Sequence, residues 1–353
     1  MTHPARYWEG SGDGRILCTL CPRLCALREG QRGMCFVRKR EGDALVLDTW
    51  GRSSGFCVDP IEKKPLNHFY PGTPVLSFGT AGCNLACKFC QNHDISKSRD
   101  MDRIAVEATP ERIAEKAEAL GCTSVAFTYN DPVIFIEYAV DVAAAVRARG
   151  MKTVGVTAGY LTPRARAEFF GAMDAVNIDL KGFTDRFYQK LTGSRLAPVL
   201  DSITFAVHDA ACWVELTTLV IPGENDSAAE LRALASWVRC NCGPDVPLHF
   251  TAFHPQFRMM ETPKTSLAAL LRARDIARGA GLNHVYVGNV HHEAGQSTYC
   301  SGCRTKVIGR DWYALGDWHL DEKGHCLTCG TALPGRISGP PGTWGRKRQP
   351  VAL

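Results

Sequence analysis

The chain has 353 residues, 45% of them hydrophobic and 22% charged, the make-up of an ordinary globular protein and not of a disordered or fibrous one. Its net charge of +5 is small, and with Arg336, Arg346, Lys347 and Arg348 supplying much of it near the end of the chain, it gives no reason to expect nucleic acid. The amino terminus has no apolar leader and no run approaches the roughly 18 apolar residues of a membrane span; a cytoplasmic protein is expected, whose 16 cysteines point to metals and not to disulfides.

Cysteines come first in chain order. Cys18, Cys21, Cys25 and Cys35 lie in CTLCPRLCALREGQRGMC and read as one site, with a spacing that suits zinc or an auxiliary iron–sulfur cluster equally. From position 74 onward, short β-rich apolar runs alternate with helical patterns. The runs are PVLSFG at 74–79, SVAFTY at 124–129, KTVGVT at 152–157, AVNIDL at 175–180, WVELTTLV at 213–220, PLHFTAF at 247–253 and NHVYVGNV at 283–290. The helical pattern at 110–120 opens with Thr109 as N-cap and Pro110 in its first turn, and Gly121 closes it. The alternation predicts βα units around a parallel sheet: an α/β fold, a partial or complete (β/α) barrel with small Cys-rich modules at both ends. Neither a GxGxxG nor a GxxxxGK[ST] loop follows a strand, which disfavours the two common nucleotide folds.

Directly after the first strand, GTAGCNLACKFCQNH places Cys83, Cys87 and Cys90 on one short loop, at the strand end where barrels keep their functional residues. Three such thiolates can each hold one iron of a cubane cluster and leave the fourth iron open to substrate. The competing arrangement is a zinc site with His93 as a fourth ligand. Near the other end, Cys300, Cys303, Cys326 and Cys329 form two CxxC pairs, with Gly302 and Gly330 placed for tight turns, which suits a closed zinc ribbon or an auxiliary cluster. Cys57, Cys122, Cys212, Cys240 and Cys242 are expected as small buried apolar residues. The organisation this predicts is a Cys-rich module over 1–57, a barrel over 58–292, a four-cysteine ribbon over 293–336 and a flexible basic tail over 337–353.

CNLACKFC resembles the CxxxCxΦC signature of radical S-adenosylmethionine (SAM) enzymes, with Phe89 as the aromatic before the last cysteine. The resemblance extends through VDPIEKKPLNHFYPG at 58–72, TYNDP at 128–132, DLKGF at 179–183, TTLVIPG at 217–223 and HFTAFHP at 249–255. These segments are similar to the AmmeMemoRadiSam-system branch, close to pyruvate formate-lyase activating enzymes.

The resemblance implies a radical SAM barrel with a 4Fe-4S cluster on Cys83, Cys87 and Cys90. It implies reductive cleavage of SAM to a 5'-deoxyadenosyl radical that abstracts hydrogen from an unidentified substrate, a protein glycine among the candidates. It places Tyr129, Asn130 and Asp131 at the methionine end of SAM, in TYNDP where the family more usually carries GGE. Asp179 and Lys181 fall at the ribose and carboxylate, and His254 at the adenosine; His291 and His292 receive no role. The implied partners are an electron donor and Memo-type and AMMECR-type proteins. A reading from another class is a zinc-binding protein-interaction scaffold without catalysis, and the middle cysteine loop discriminates between the two.

Overall fold

Seven strands form the centre of the molecule: β1 (Pro74–Gly79), β2 (Ser124–Phe127), β3 (Lys152–Thr157), β4 (Ala175–Asp179), β5 (Trp213–Val220), β6 (Leu248–Ala252) and β7 (Val285–Gly288). This is a computed structural model, which describes residues 2–98, 106–337 and 339–353. Each strand pairs in parallel with the next in sequence. Residues such as Val75, Leu76, Val125, Val154, Val176, Leu216 and Phe250 are completely buried, as expected of parallel strands covered on both faces.

The hydrogen-bonded order runs from β7 at one edge, through β1, to an antiparallel strand at Arg52–Pro60 and finally Gln349–Pro350. The barrel is therefore partial. Helices α1 (Pro110–Ala119), α2 (Ile136–Ala148), α3 (Pro163–Gly171), α4 (Ala197–His208), α5 (Ala228–Cys242) and α6 (Leu267–Gly279) make the connections between successive strands. In α1 the Thr109 side chain accepts from the Arg112 N–H while Ile113, Ala114 and Ala117 face the sheet; removing such a cap costs about 1 kcal/mol. No helix among the described residues is long and apolar enough to cross a membrane.

The two ends attach differently. The N-terminal segment forms two small antiparallel sheets, and its Cys18, Leu20, Cys35, Val37, Leu45 and Leu47 belong to the same hydrophobic core as the barrel. The C-terminal ribbon (Thr298–Tyr299, Lys306–Asp311 and Ala314–Trp318) has a separate core of Cys300, Val307, Ile308, Leu320, Cys326, Leu333 and Ile337.

The segment expected as a mobile tail is instead fastened, apart from Ser338, which lies outside the described residues, as does 99–105 of the expected barrel. Trp344 N–H donates to Gly72 O and Val351 N–H to Phe56 O, both at 3.0 Å. The backbones of Gly72 and Gly342 touch so closely that a Cβ on Gly342 would stand 2.3 Å from Gly72 O. Glycine at both positions lets the chain return across the barrel. Of the five cysteines expected to be buried, Cys240 is exposed and the other four are buried.

Candidate active site

The loops that leave the C-terminal ends of β1, β2 and β4 meet over a cavity of about 400 Å³. Cys83, Cys87 and Cys90 line it, together with Phe89, Tyr129, Asn130, Asp131, Asp179 and Lys181. Nine of the residues singled out from the sequence thus share one wall system. His254 does not join them; it is exposed and lies outside the lining.

Burial raises the Cys83 thiol and pushes Cys87 up to about 12, so in the free loop these side chains stay protonated until a metal takes the proton's place. The Cys90 Sγ stands 3.0 Å from Ser96 Oγ. His93 is engaged elsewhere: its Nδ1 is 3.0 Å from Asp94 and its ring stacks on Phe257 with centroids 5.0 Å apart. Three thiols without a fourth protein ligand are what a site-differentiated cluster requires, and the zinc arrangement with His93 loses its fourth member.

TYNDP is more than a turn. Tyr129 has φ of 70°, a left-handed conformation that is strained for a bulky side chain, and its carbonyl accepts from Asn92 Nδ2 at 2.9 Å. Asn130 serves the loop itself. Its Nδ2 donates to Gly82 O at 2.8 Å and Thr80 Oγ1 at 3.2 Å, and its Oδ1 accepts from Thr80 N–H at 3.2 Å. The side chain is thereby committed to holding 80–82, the approach to Cys83, and is not free for a ligand.

Asp131 differs. Its Oδ1 accepts from Thr157 Oγ1 at 2.7 Å and from Val133 N–H at 3.2 Å, while Oδ2 is buried without a hydrogen-bond partner. Burial raises its carboxyl to about 6. Lys181 Nζ lies 2.7 Å from Asp179 Oδ2 and 6.0 Å from the Phe89 ring centroid; burial opposes its charge, but Asp179 and Cys87 more than offset this and hold it above the usual lysine range. On strand-like backbone, residues two apart share a face, which is how this pair enters one cavity.

Other lining residues were not legible as site residues. Lys64 is buried, with its Nζ 2.7 Å from Asp59 Oδ2 and 5.6 Å from the Tyr129 ring centroid. Thr217 Oγ1 is buried without a partner. His249 Nε2 meets Glu215 Oε2 at 2.7 Å on the cavity floor. Arg310, Trp312 and Tyr313 reach in from the C-terminal ribbon. The KK of IEKKP and the H of HFTAF offered a weak signal; nothing local connects residue 310 with residue 64.

The C-terminal quartet is compact: Cys300, Cys303, Cys326 and Cys329 have all their sulfurs within 4.8 Å of one another, with pairs at 3.5 and 3.7 Å. Four thiolates about 2.3 Å from one ion would have such edges. Arg304 N–H to Cys300 O and Gly330 N–H to Cys326 O close the two knuckles, at 3.1 and 2.8 Å. The left-handed residues there are Arg304 and Gly330; Gly302, expected to turn the first knuckle, instead packs against Thr331. Hydrogen bonding from Thr331 lowers Cys329 to about 6, leaving it ready to bind metal at neutral pH. Of the histidines without a role, His291 Nε2 pairs with Asp311 at 2.8 Å and His292 Nδ1 accepts from Gly295 N–H at 2.9 Å; both serve the junction with the ribbon.

Residues 78–235, which span the three-cysteine loop, Asp131 and Asp179, match the model of the radical SAM superfamily. The chain contains a radical SAM domain. It is 37% identical over 330 residues to an uncharacterized protein of Methanocaldococcus jannaschii, covering 93% of this chain and 98% of that one. It is 24% identical over 266 residues to GTP 3',8-cyclase of Lactiplantibacillus plantarum, over 69% of this chain and 78% of the relative. Among solved structures, a radical SAM methyltransferase from Sphaerobacter thermophilus aligns with a TM-score of 0.48 at 14% identity, over 81% of this chain and 76% of that chain. A domain of pyruvate-formate lyase-activating enzyme from Bacteroides vulgatus aligns with a TM-score of 0.42 at 15% identity, over 47% and 98%.

A radical SAM domain implies a 4Fe-4S cluster and SAM, and the residues present fit both. Among the described residues, three thiols face one cavity without a fourth protein ligand, and two buried polar oxygens, Asp131 Oδ2 and Thr217 Oγ1, line the same space unpartnered. Buried polar atoms are rarely left so unless a ligand or water completes them.

Proposed function

We propose that this chain reductively cleaves SAM at a 4Fe-4S cluster held by Cys83, Cys87 and Cys90, and directs the resulting radical at a hydrogen atom of a substrate bound in the same cavity. The observation that carries this reading is the shared cavity, in which the three cysteines face Asp131, Asp179 and Lys181. When bound, cluster and cofactor supply one electron to the sulfonium and a 5'-deoxyadenosyl radical.

The protein's part is positioning. The free oxygen of Asp131 can accept from the ammonium of SAM, Asp179 from ribose hydroxyls, and Lys181 can donate to the carboxylate. Asn130 and the strained Tyr129 keep the cysteine loop in register with these groups. Arg310, Trp312 and Tyr313 stand on the ribbon side and would face the substrate, which we place between them and the adenosyl end of SAM. In this reading the substrate is a protein glycine, the electron comes from a separate donor protein, and the chain works with Memo-type and AMMECR-type proteins, all on the strength of the resemblance to the AmmeMemoRadiSam branch.

The test is anaerobic reconstitution with iron and sulfide, reduction, and assay for 5'-deoxyadenosine and methionine. Both products are expected from the native chain and neither from Cys83→Ala. Equal product from the two proteins would overturn the assignment.

A further inference from the structure

The N-terminal cysteines have no part in the site described above, yet they lie against it. Cys35 O stands 2.0 Å from where a Cβ on Gly82 would be, so only glycine lets the two backbones meet, and the next residue is Cys83. From the same N-terminal loop, Arg23 Nε donates to Asn84 O at 2.9 Å. The segment therefore touches the three-cysteine loop on both sides of its first cysteine.

The segment folds its cysteines together: Cys18 N–H donates to Cys25 O at 2.9 Å, and the Cys25 and Cys35 sulfurs both lie within 3.8 Å of where a Cβ on Gly33 would be. Unlike the C-terminal four, they are not drawn together around one point: among the described residues the ribbon quartet is the group whose ligand atoms all lie within 4.8 Å. A wider spread suits a cluster, in which each thiolate binds its own iron, and not a single ion. Leu24 and Phe36, beside Cys25 and Cys35, both take left-handed backbone at φ of 47° and 72°, strain that persists where a structure needs its loops held in one shape.

A buried cation faces the same thiols. Arg38 is 1% exposed and forks onto Glu137 at 2.8 and 3.0 Å. Its Nε is buried without an acceptor of its own, and the guanidinium stands beside Cys18 and Cys35. A positive group with a free N–H beside cluster thiolates stabilises the reduced, more negative state.

The outer side of this site is suited to a visitor. Leu24 and Met34, adjacent to Cys25 and Cys35, are large apolar side chains left 47% and 44% exposed. Arg23, next in the chain to Leu24, lines an open groove together with Arg195. Exposed apolar side chains with cations close by fit an acidic partner.

We infer that Cys18, Cys21, Cys25 and Cys35 hold an auxiliary iron–sulfur cluster that receives single electrons from an acidic, low-potential carrier protein docked at Leu24 and Met34, and passes them to the cluster at Cys83, Cys87 and Cys90. One electron leaves the carrier and one arrives at the second cluster, so no other reactant is needed. Only the electron's destination rests on the proposed SAM cleavage.

Two measurements test the two halves separately. The triple variant Cys83→Ala, Cys87→Ala, Cys90→Ala, reconstituted anaerobically, is expected to keep about four irons and four sulfides per chain and a paramagnetic signal on reduction; a variant holding zinc at this site and no labile sulfide overturns the cluster. Next, Leu24→Asp with Met34→Glu is compared with the native chain using reduced flavodoxin or dithionite as donor. The expected result is a fall of about tenfold in flavodoxin-driven 5'-deoxyadenosine formation, with iron content and the dithionite rate unchanged. An unchanged flavodoxin rate, or an equal fall with both donors, overturns the relay. The first measurement reads out even if the chain cleaves no SAM.

Discussion

The two cysteine quartets contain the same four ligands and behave as opposites. The C-terminal set collapses to sulfur distances of 3.5 and 3.7 Å within a ribbon whose own core is seven residues. The N-terminal set is more open, and its flanking apolar residues merge with the barrel core. A segment that small cannot hold itself folded by burial alone, so an ion on these four sulfurs would hold the ribbon together. The N-terminal module already has the barrel for support, so a metal proposed there would be free to do chemistry. Ligand count does not separate the two sites; the spread of the sulfurs and the source of the surrounding core do.

The largest effect that can break this contrast is loss of an ion from the ribbon's four-cysteine site. Structural tetrathiolate ions contribute on the order of 10 kcal/mol to the folding of small modules. Cys326→Ala is expected to release about one ion per chain and open the ribbon to proteolysis, withdrawing Arg310, Trp312 and Tyr313 from the cavity. Cys21→Ser should leave the N-terminal module protease-resistant. A ribbon that stays resistant after chelation would erase the distinction.

Next in size is the buried pair that joins the N-terminal module to the barrel. Arg38 and Glu137 are 1% and 2% exposed, and Glu137 Oε1 also accepts from Arg6 N–H at 2.6 Å. Glu137→Ala strands a buried guanidinium, a loss of about 3–5 kcal/mol measurable as a lowered unfolding midpoint, with Glu137→Gln milder.

Much of this architecture was legible in the sequence. Strands covered on both faces read as short β-rich runs bounded by turn residues, so β3 and β5 were read to the residue. The run at 124–129 was read too long because Thr128 and Tyr129 leave β2 for the strained turn that serves the site. The cysteine spacings marked three candidate metal segments, but spacing along a chain does not report how far apart sulfurs end up. The role of Asn130 as a clamp on 80–82, and the reach of Arg310 into the barrel, depend on contacts between distant segments that no local pattern encodes.

The ribbon's docking onto the barrel also gives a pH signature. His68 Nδ1 meets Pro334 O at 2.7 Å and its ring packs against His284 with centroids 4.6 Å apart. Burial lowers His68 to about 3 and His284 to about 4. Folded values below the ordinary one mean that the unfolded chain binds more protons, so the stability is present above about pH 6.5 and is lost as pH falls toward the folded values. Each histidine is expected to cost about 2 kcal/mol between pH 7 and 5. Thermal unfolding across that range should show the fall, and His284→Leu should flatten it by about half.

The smallest effect sharpens the contrast most, because it concerns the barrel's own cysteines, which neither quartet assists with a fourth ligand. Three thiols on a short loop hold their geometry only if the loop is pinned, and Asn130 pins it through Thr80 and Gly82. Asn130→Ala removes those bonds from a buried position at a cost of about 1–2 kcal/mol in stability. Its expected effect on the reconstituted protein is selective: iron at Cys83, Cys87 and Cys90 is lost on dilution faster than from the native chain, while iron at the N-terminal quartet and the ion of the ribbon are retained. Equal retention at all three sites would mean that the loop's shape comes from its N-terminal neighbour, through Gly82 and Cys35, and not from β2.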